Sequence, residues 1–78
     1  MQKARLKFNN KVASNNFLFV HHSPVSDGID GDSDGEIYFA FFDNSEVALY
    51  SQKSKFFAKM HTDDLERLID DGSVQIIP

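Results

Sequence analysis

The acidic loop at residues 27–35 is the stretch of this chain whose residue types and spacing could carry chemistry. Its sequence is DGIDGDSDG, which places four carboxylates and three glycines between two apolar segments. Aspartate and glycine both favour turns, so a loop of this composition is also what a solvated connection looks like. The loop therefore allows three hypotheses, namely a cation site, a surface for a cationic partner, and a plain polar loop.

The cation hypothesis depends on alternating carboxylates followed by a glycine, at Asp30, Asp32, Asp34 and Gly35. This pattern resembles the first half of the EF-hand calcium loop, in which alternate carboxylates face one ion and the glycine permits a sharp turn. The twelfth loop position, a bidentate Glu in that family, is Phe41 here. Another carboxylate, such as Glu36 or Asp43, would have to complete the site. The resemblance implies a weak Ca²⁺ site with Asp30, Asp32 and Asp34 as ligands.

The partner hypothesis combines two acidic blocks, one in the loop and one near the C-terminus. The residues expected to meet the partner are Asp27, Asp30, Asp32, Asp34, Glu36, Asp63, Asp64, Asp70 and Asp71. Complementary charge steers association and selects partners, so this surface predicts binding to a basic protein or to a nucleic-acid-binding protein. In size and charge the chain resembles small phage-encoded inhibitors that imitate nucleic acid. This acidic binding module is the principal functional hypothesis from the sequence.

The first strand offers a third function through its cations. Lys3, Arg5 and Lys7 alternate with apolar residues, so they share one face of a strand, and Phe57 or Tyr38 could supply base stacking. Small barrels bind single-stranded nucleic acid with such groups. The net charge of −4 and the pI of about 5.1 oppose this alternative, because dedicated nucleic-acid binders are usually basic.

Length and composition limit the remaining choices. Seventy-eight residues predict one small domain, and the absence of cysteine excludes disulfides and thiolate metal sites. No nucleophile motif or phosphate-binding loop is found, so no enzyme is expected. No apolar run approaches the ~20 residues of a membrane span, and a soluble cytoplasmic protein is expected. The oligomeric state is open, a homodimer included.

The elements that must position these residues follow from periodicity. Strands are predicted at residues 3–8, 17–22, 37–42, 47–50 and 56–60. Residues 37–42 are apolar at both odd and even positions, so both faces of this strand are expected to be covered. A short helix capped by Thr62 and ended by Gly72 should follow, and residues 74–77 should form a last strand. The predicted fold is α+β, an antiparallel β-meander with one C-terminal helix and a final strand. Its sheet would be bent or would form a small SH3-like open barrel.

Overall fold

Eight strands and one α-helix form the described part of the computed structural model, which covers residues 2–21, 28–29, 36–51, 53 and 56–78. A 3₁₀ turn at Ser14–Asn16 is the remaining element. In chain order the elements are β1 (Gln2–Phe8), β2 (Val12–Ala13), β3 (Phe19–His21), β4 (Gly28–Ile29), β5 (Tyr38–Asp43), β6 (Glu46–Ser51), β7 (Phe56–His61), α1 (Thr62–Asp70) and β8 (Val74–Ile77).

Six of the strands form one antiparallel sheet in the order β3-β7-β6-β5-β1-β8, and β2 pairs separately with β4. The predicted α+β class with an antiparallel sheet is therefore confirmed. The predicted meander is correct only for β5, β6 and β7, which are neighbours in both sequence and space. The first strand does not pair with the second long strand, as a meander would require. It lies instead between β5 and β8, while β3 joins the far edge beside β7.

A two-residue turn joins β5 to β6 and sets the register of the central hairpin. Asp43 pairs with Glu46 across this turn, and Asn44 has a φ of 57°. Asparagine tolerates this left-handed conformation better than most residues do. The hairpin register then places alternate residues of both strands on the same two faces of the sheet.

One face of the sheet carries the core. Leu6, Ala40 and Leu49 are fully buried there, and the Phe8 ring meets the Tyr38 ring edge-on at a centroid distance of 5.0 Å. The residues that cover this face belong to the helix and to the small sheet with its 3₁₀ turn, and they are Leu65, Val12, Ile29 and Phe17. All of them join a single hydrophobic cluster.

The helix α1 begins one residue earlier than a Thr62 cap would require. His61 is the N-cap, with extended backbone and no side-chain capping bond, and the Thr62 hydroxyl is buried without a hydrogen-bond partner. The prediction of Thr62 as the cap is wrong, because Thr62 is the first residue of the helix and the cap position falls on His61. The Thr62 amide donates to the Ser45 carbonyl at 2.8 Å. The predicted stop is confirmed, since Gly72 follows the helix with a φ of 86°. No helix in the described part of the chain is long and apolar enough to cross a membrane.

Candidate functional site

The face of the sheet opposite the core is partly exposed, and we call it the open face. Phe39 and Tyr50 in its centre keep 38% and 36% of their surface in contact with solvent. The expectation that residues 37–42 are covered on both sides is therefore wrong. By strand parity the open face presents Lys3, Arg5, Lys7, Phe39, Phe41, Asp43, Glu46, Ala48, Tyr50, Phe57, Lys59, His61, Gln75 and Ile77.

Three aromatic residues form a row across the open face, at right angles to the strands. Phe39 lies directly opposite Tyr50, and Tyr50 lies directly opposite Phe57. Directly paired residues in antiparallel strands have Cβ atoms about 4.5–5.5 Å apart, so the row spans roughly 10 Å. We call these three residues the aromatic row. Arg5 continues the row beyond Phe39 on β1.

The cations of β1 stand beside the aromatic row. Lys3 and Arg5 are exposed, and each pairs in register with a phenylalanine of β5. A cleft of about 330 Å³ lies at this side of the open face, lined by Lys3, Ala4, Arg5, Phe39, Phe41 and Ile77. The Arg5 guanidinium also donates a hydrogen bond to the carbonyl oxygen of Pro78, which ties it to the end of β8. The cleft therefore joins two phenyl rings to two cations.

The side of the open face away from β1 and β8 carries carboxylates as well as a cation. A smaller depression of about 160 Å³ is lined by Phe41, Asp43, Glu46, Ala48 and Lys59. Lys59 lies 3.9 Å from Glu46, so one cation here is already matched by a carboxylate. Among the described residues the open face thus carries four cations and two carboxylates, and its cationic side is the one next to β1 and β8.

The acidic groups of the C-terminal block lie on the helix, which packs against the other face of the sheet. Asp63, Glu66 and Asp70 are exposed, whereas Asp64 is half-buried and accepts a hydrogen bond from the Arg67 guanidinium. The spacing of three residues between Asp64 and Arg67 brings the two side chains together on a helix. The structure therefore places the exposed carboxylates of the helix and the cations of β1 on opposite faces of the sheet.

Asp71 directly after the helix has a local partner. Hydrogen bonds from Ser73 hold the pKa of the Asp71 carboxyl below its usual value, the side-chain bond more strongly than the backbone bond. The backbone N–H of Ser73 donates to Asp71 Oδ1 at 2.8 Å. This contact fixes the turn between α1 and β8, so Asp71 has a structural role as well as a charge.

The predicted loop ligands and contacts at Asp27, Asp30, Asp32 and Asp34 lie outside the described residues, so the calcium prediction stays a prediction. Glu36, at the end of that loop, is half-buried and accepts a hydrogen bond from the hydroxyl of Ser51, which is fully buried. Within the described ranges, no group of three or more His, Asp or Glu side chains is arranged to hold a metal ion. Glu36 therefore anchors the start of β5 to β6.

The stacking candidates named from the sequence separate in the structure. Phe57 belongs to the aromatic row, but Tyr38 is wrong as a stacking residue, because it is 5% exposed on the core face. Phe39, Phe41 and Tyr50 were missed. A signal was available, since a chain with one short helix has too little structure to cover both faces of a sheet, and alternate apolar residues must then remain accessible.

Comparison with protein-family models, with curated proteins and with solved structures found no match.

Proposed function

We propose that this protein binds single-stranded nucleic acid on the open face of its sheet, without catalysing a reaction. The observation that carries the proposal is the aromatic row of Phe39, Tyr50 and Phe57, flanked by the cations of β1 on the same face. The sequence suggested this function only as an alternative. It becomes the preferred one because the structure combines stacking surface and positive charge in one place.

The aromatic row supplies the contact that single-stranded bases use. Proteins that bind single strands stack successive bases on aromatic side chains, and sheets with exposed aromatic residues accommodate two or three bases. The roughly 10 Å length of the row suits a ligand of this size. The exposed fractions of Phe39 and Tyr50, 38% and 36%, leave ring surface available for stacking.

The cations supply the contact that the phosphate backbone requires. Lys3, Arg5 and Lys7 lie along β1 at the Phe39 end of the aromatic row, so a base stacked on Phe39 would have its phosphate near positive charge. Their alternation along β1 places them on one side, whereas Ala4 and Leu6 face the core. A basic groove beside a stacking platform is the usual arrangement for binding single strands.

The carboxylates of the helix, which contribute to the net charge of −4, do not oppose this proposal. The described carboxylates of the helix lie behind the sheet, in a molecule whose shortest dimension is 21 Å. At physiological salt the screening length is about 8 Å, so these carboxylates act only weakly on a ligand at the open face. The SH3-like outline predicted from the sequence stays a prediction, and small barrels of that kind do bind single strands.

The test locates the ligand by NMR. A short oligodeoxythymidine is titrated into isotope-labelled protein, and the methyl groups of Ala48 and Ile77 on the open face are compared with those of Leu68 and Ile69 on the helix. The proposal expects shifts at Ala48, at Ile77 and in the Tyr50 ring, with the helix methyl groups unchanged. Shifts confined to the helix, or no shifts at millimolar ligand, would contradict it.

The second candidate function that we propose is the acidic binding module, now limited to the acidic residues of the helix and to Asp71, which follows it. Asp63, Asp70 and Asp71 are exposed on one short segment, and Arg67 is paired with Asp64. A cationic protein partner is the chemistry that this surface fits. Neutralising the three aspartates to asparagine should weaken capture of a basic partner and leave binding of oligodeoxythymidine unchanged. Equal loss of both ligands would reject separate faces.

A further inference from the structure

The cleft beside β1 is lined by apolar side chains and by two cations. Phe39 and Phe41 form one side, Ile77 lies on the other, and the β1 backbone at Ala4 lies between them. Lys3 and Arg5 stand one residue to either side of Ala4 and point to the same face. An apolar slot with a cation on each side fits a flat, uncharged ring that is attached between two anionic groups.

We propose that this cleft binds one nucleobase of a single-stranded nucleic acid, with the phosphates on either side of that nucleotide at Lys3 and Arg5. The inference rests on the proposed function and deepens it, because it separates an inserted base from the bases stacked along the aromatic row. Both phenyl side chains and the Ile77 side chain contact the base, and the cations contact only the backbone. Charge complementarity with phosphate selects this ligand over an uncharged apolar one.

The size of the cleft limits the ligand to a single ring system. Its volume of about 330 Å³ lies at the lower end of the roughly 300–1,000 Å³ found for small-molecule sites. A base fits such a space, whereas a helix or a second protein chain would contact the whole open face. The neighbouring depression of about 160 Å³ is smaller and carries Asp43 and Glu46, which repel phosphate.

Arg5 is held in place for this role by the end of β8. One of its nitrogens donates to the carbonyl oxygen of Pro78, and Arg5 also pairs in register with Ile77. A guanidinium has five N–H donors, so this bond leaves others for a phosphate oxygen. The nucleic acid then runs from the cleft along the aromatic row towards Phe57, away from the two carboxylates.

The experiment compares an oligodeoxythymidine with an abasic strand of the same length, by fluorescence anisotropy. Ile77→Ala removes a wall of the cleft, and Ile76→Ala is its matched control, because Ile76 is the adjacent residue, 52% exposed on the other face of β8. Phe41→Ala is the second cleft variant. We expect Phe41→Ala to weaken oligodeoxythymidine binding about fivefold or more, from the energy of one lost stacking contact, and Ile77→Ala to weaken it more than Ile76→Ala does. Binding of the abasic strand should change less than about twofold, because it depends on phosphate contacts.

A measurement on the wild-type protein guards against variants that fail to fold. Intermolecular nuclear Overhauser effects between thymine protons and the Ile77 methyl groups are expected in the complex. Their absence, in a complex that still perturbs Tyr50, would overturn the cleft and leave the proposed function standing. A wild-type protein that binds neither strand, including one whose open face is covered by a second copy, would overturn both. Equal losses for Ile76→Ala and Ile77→Ala would also reject the cleft.

Discussion

The salt dependence of binding tests the proposed interface most directly, because it counts the cations that meet phosphate. Four cations lie on the open face among the described residues, at Lys3, Arg5, Lys7 and Lys59. For single strands, the slope of log K against log salt is about −0.7 per neutralised phosphate. Full engagement of the four cations therefore gives a slope of about −2.8. Between ~50 and ~200 mM salt the affinity should fall about 50-fold.

The variant that removes the β1 cations is Lys3→Gln/Arg5→Gln/Lys7→Gln. It leaves one cation on the open face, so the slope should shrink to about −0.7 and the loss over the same salt range to about threefold. Lys59 already lies 3.9 Å from Glu46, so its contribution can be smaller still. The measurement is fluorescence anisotropy with labelled oligodeoxythymidine at several salt concentrations, with circular dichroism to show that the variant is folded.

A matched control removes the same charge elsewhere. Lys11, Lys53 and Arg67 are exposed and lie outside the strands of the open face. The triple variant with glutamine at these three positions should keep the wild-type slope, although its net charge equals that of the β1 variant. If both triple variants reduced the slope equally, binding would follow total charge, and the proposed interface would be refuted.

The remaining predictions concern stability. Gly72→Ala should lower the free energy of unfolding by about 1 kcal/mol, because the backbone there has a φ of 86°; the added methyl group itself meets only open space. Gly72→Asn should lower the free energy of unfolding by less, and urea denaturation measures both variants. Leu65→Ala should cost about 2–5 kcal/mol as a fully buried helix residue, and Leu18→Ala, at a site 46% exposed, far less; equal losses would contradict the core assignment. Because the pKa of Asp71 is lowered in the folded state, its contribution to stability is complete above the carboxyl pKa of the unfolded chain, about 3.9, and is lost as the pH falls through the lower folded value. Denaturation of Asp71→Ala from pH 3 to 7 should therefore give a shallower acid limb than wild type, and parallel curves would contradict this.

The local sequence pattern was sufficient to predict the helix and most of the long strands. Strict alternation in β1 assigned Leu6 inward and Arg5 outward, and the end of the helix was recognised from Gly72. These predictions succeeded because side-chain direction within a strand and the left-handed end of a helix are properties of a few neighbouring residues. The prediction of the Thr62 cap was wrong by one residue, because the helix begins at Thr62 and its cap position is His61.

The candidate site was harder to predict, since it depends on pairing between distant segments. Phe39, Tyr50 and Phe57 form a row only through the register of three strands, and an apolar run cannot show which of its faces is covered. The net charge of −4 also opposed a nucleic-acid ligand, because a net charge does not show where on the surface each charge lies. The exposed carboxylates of the helix lie on one side of the sheet, whereas Lys3 and Arg5 face the other side.

The chain alone therefore determined which segments form strands, where the helix ends and that the charges come in blocks, because these depend on residues close together in sequence. Strand order, the uncovered face and the meeting of Arg5 with Phe39 and Ile77 were decided by tertiary structure. Their physical cause is that a single short helix and a two-stranded sheet bury only one side of a six-stranded sheet. The rings and cations of the other side then remain in contact with solvent.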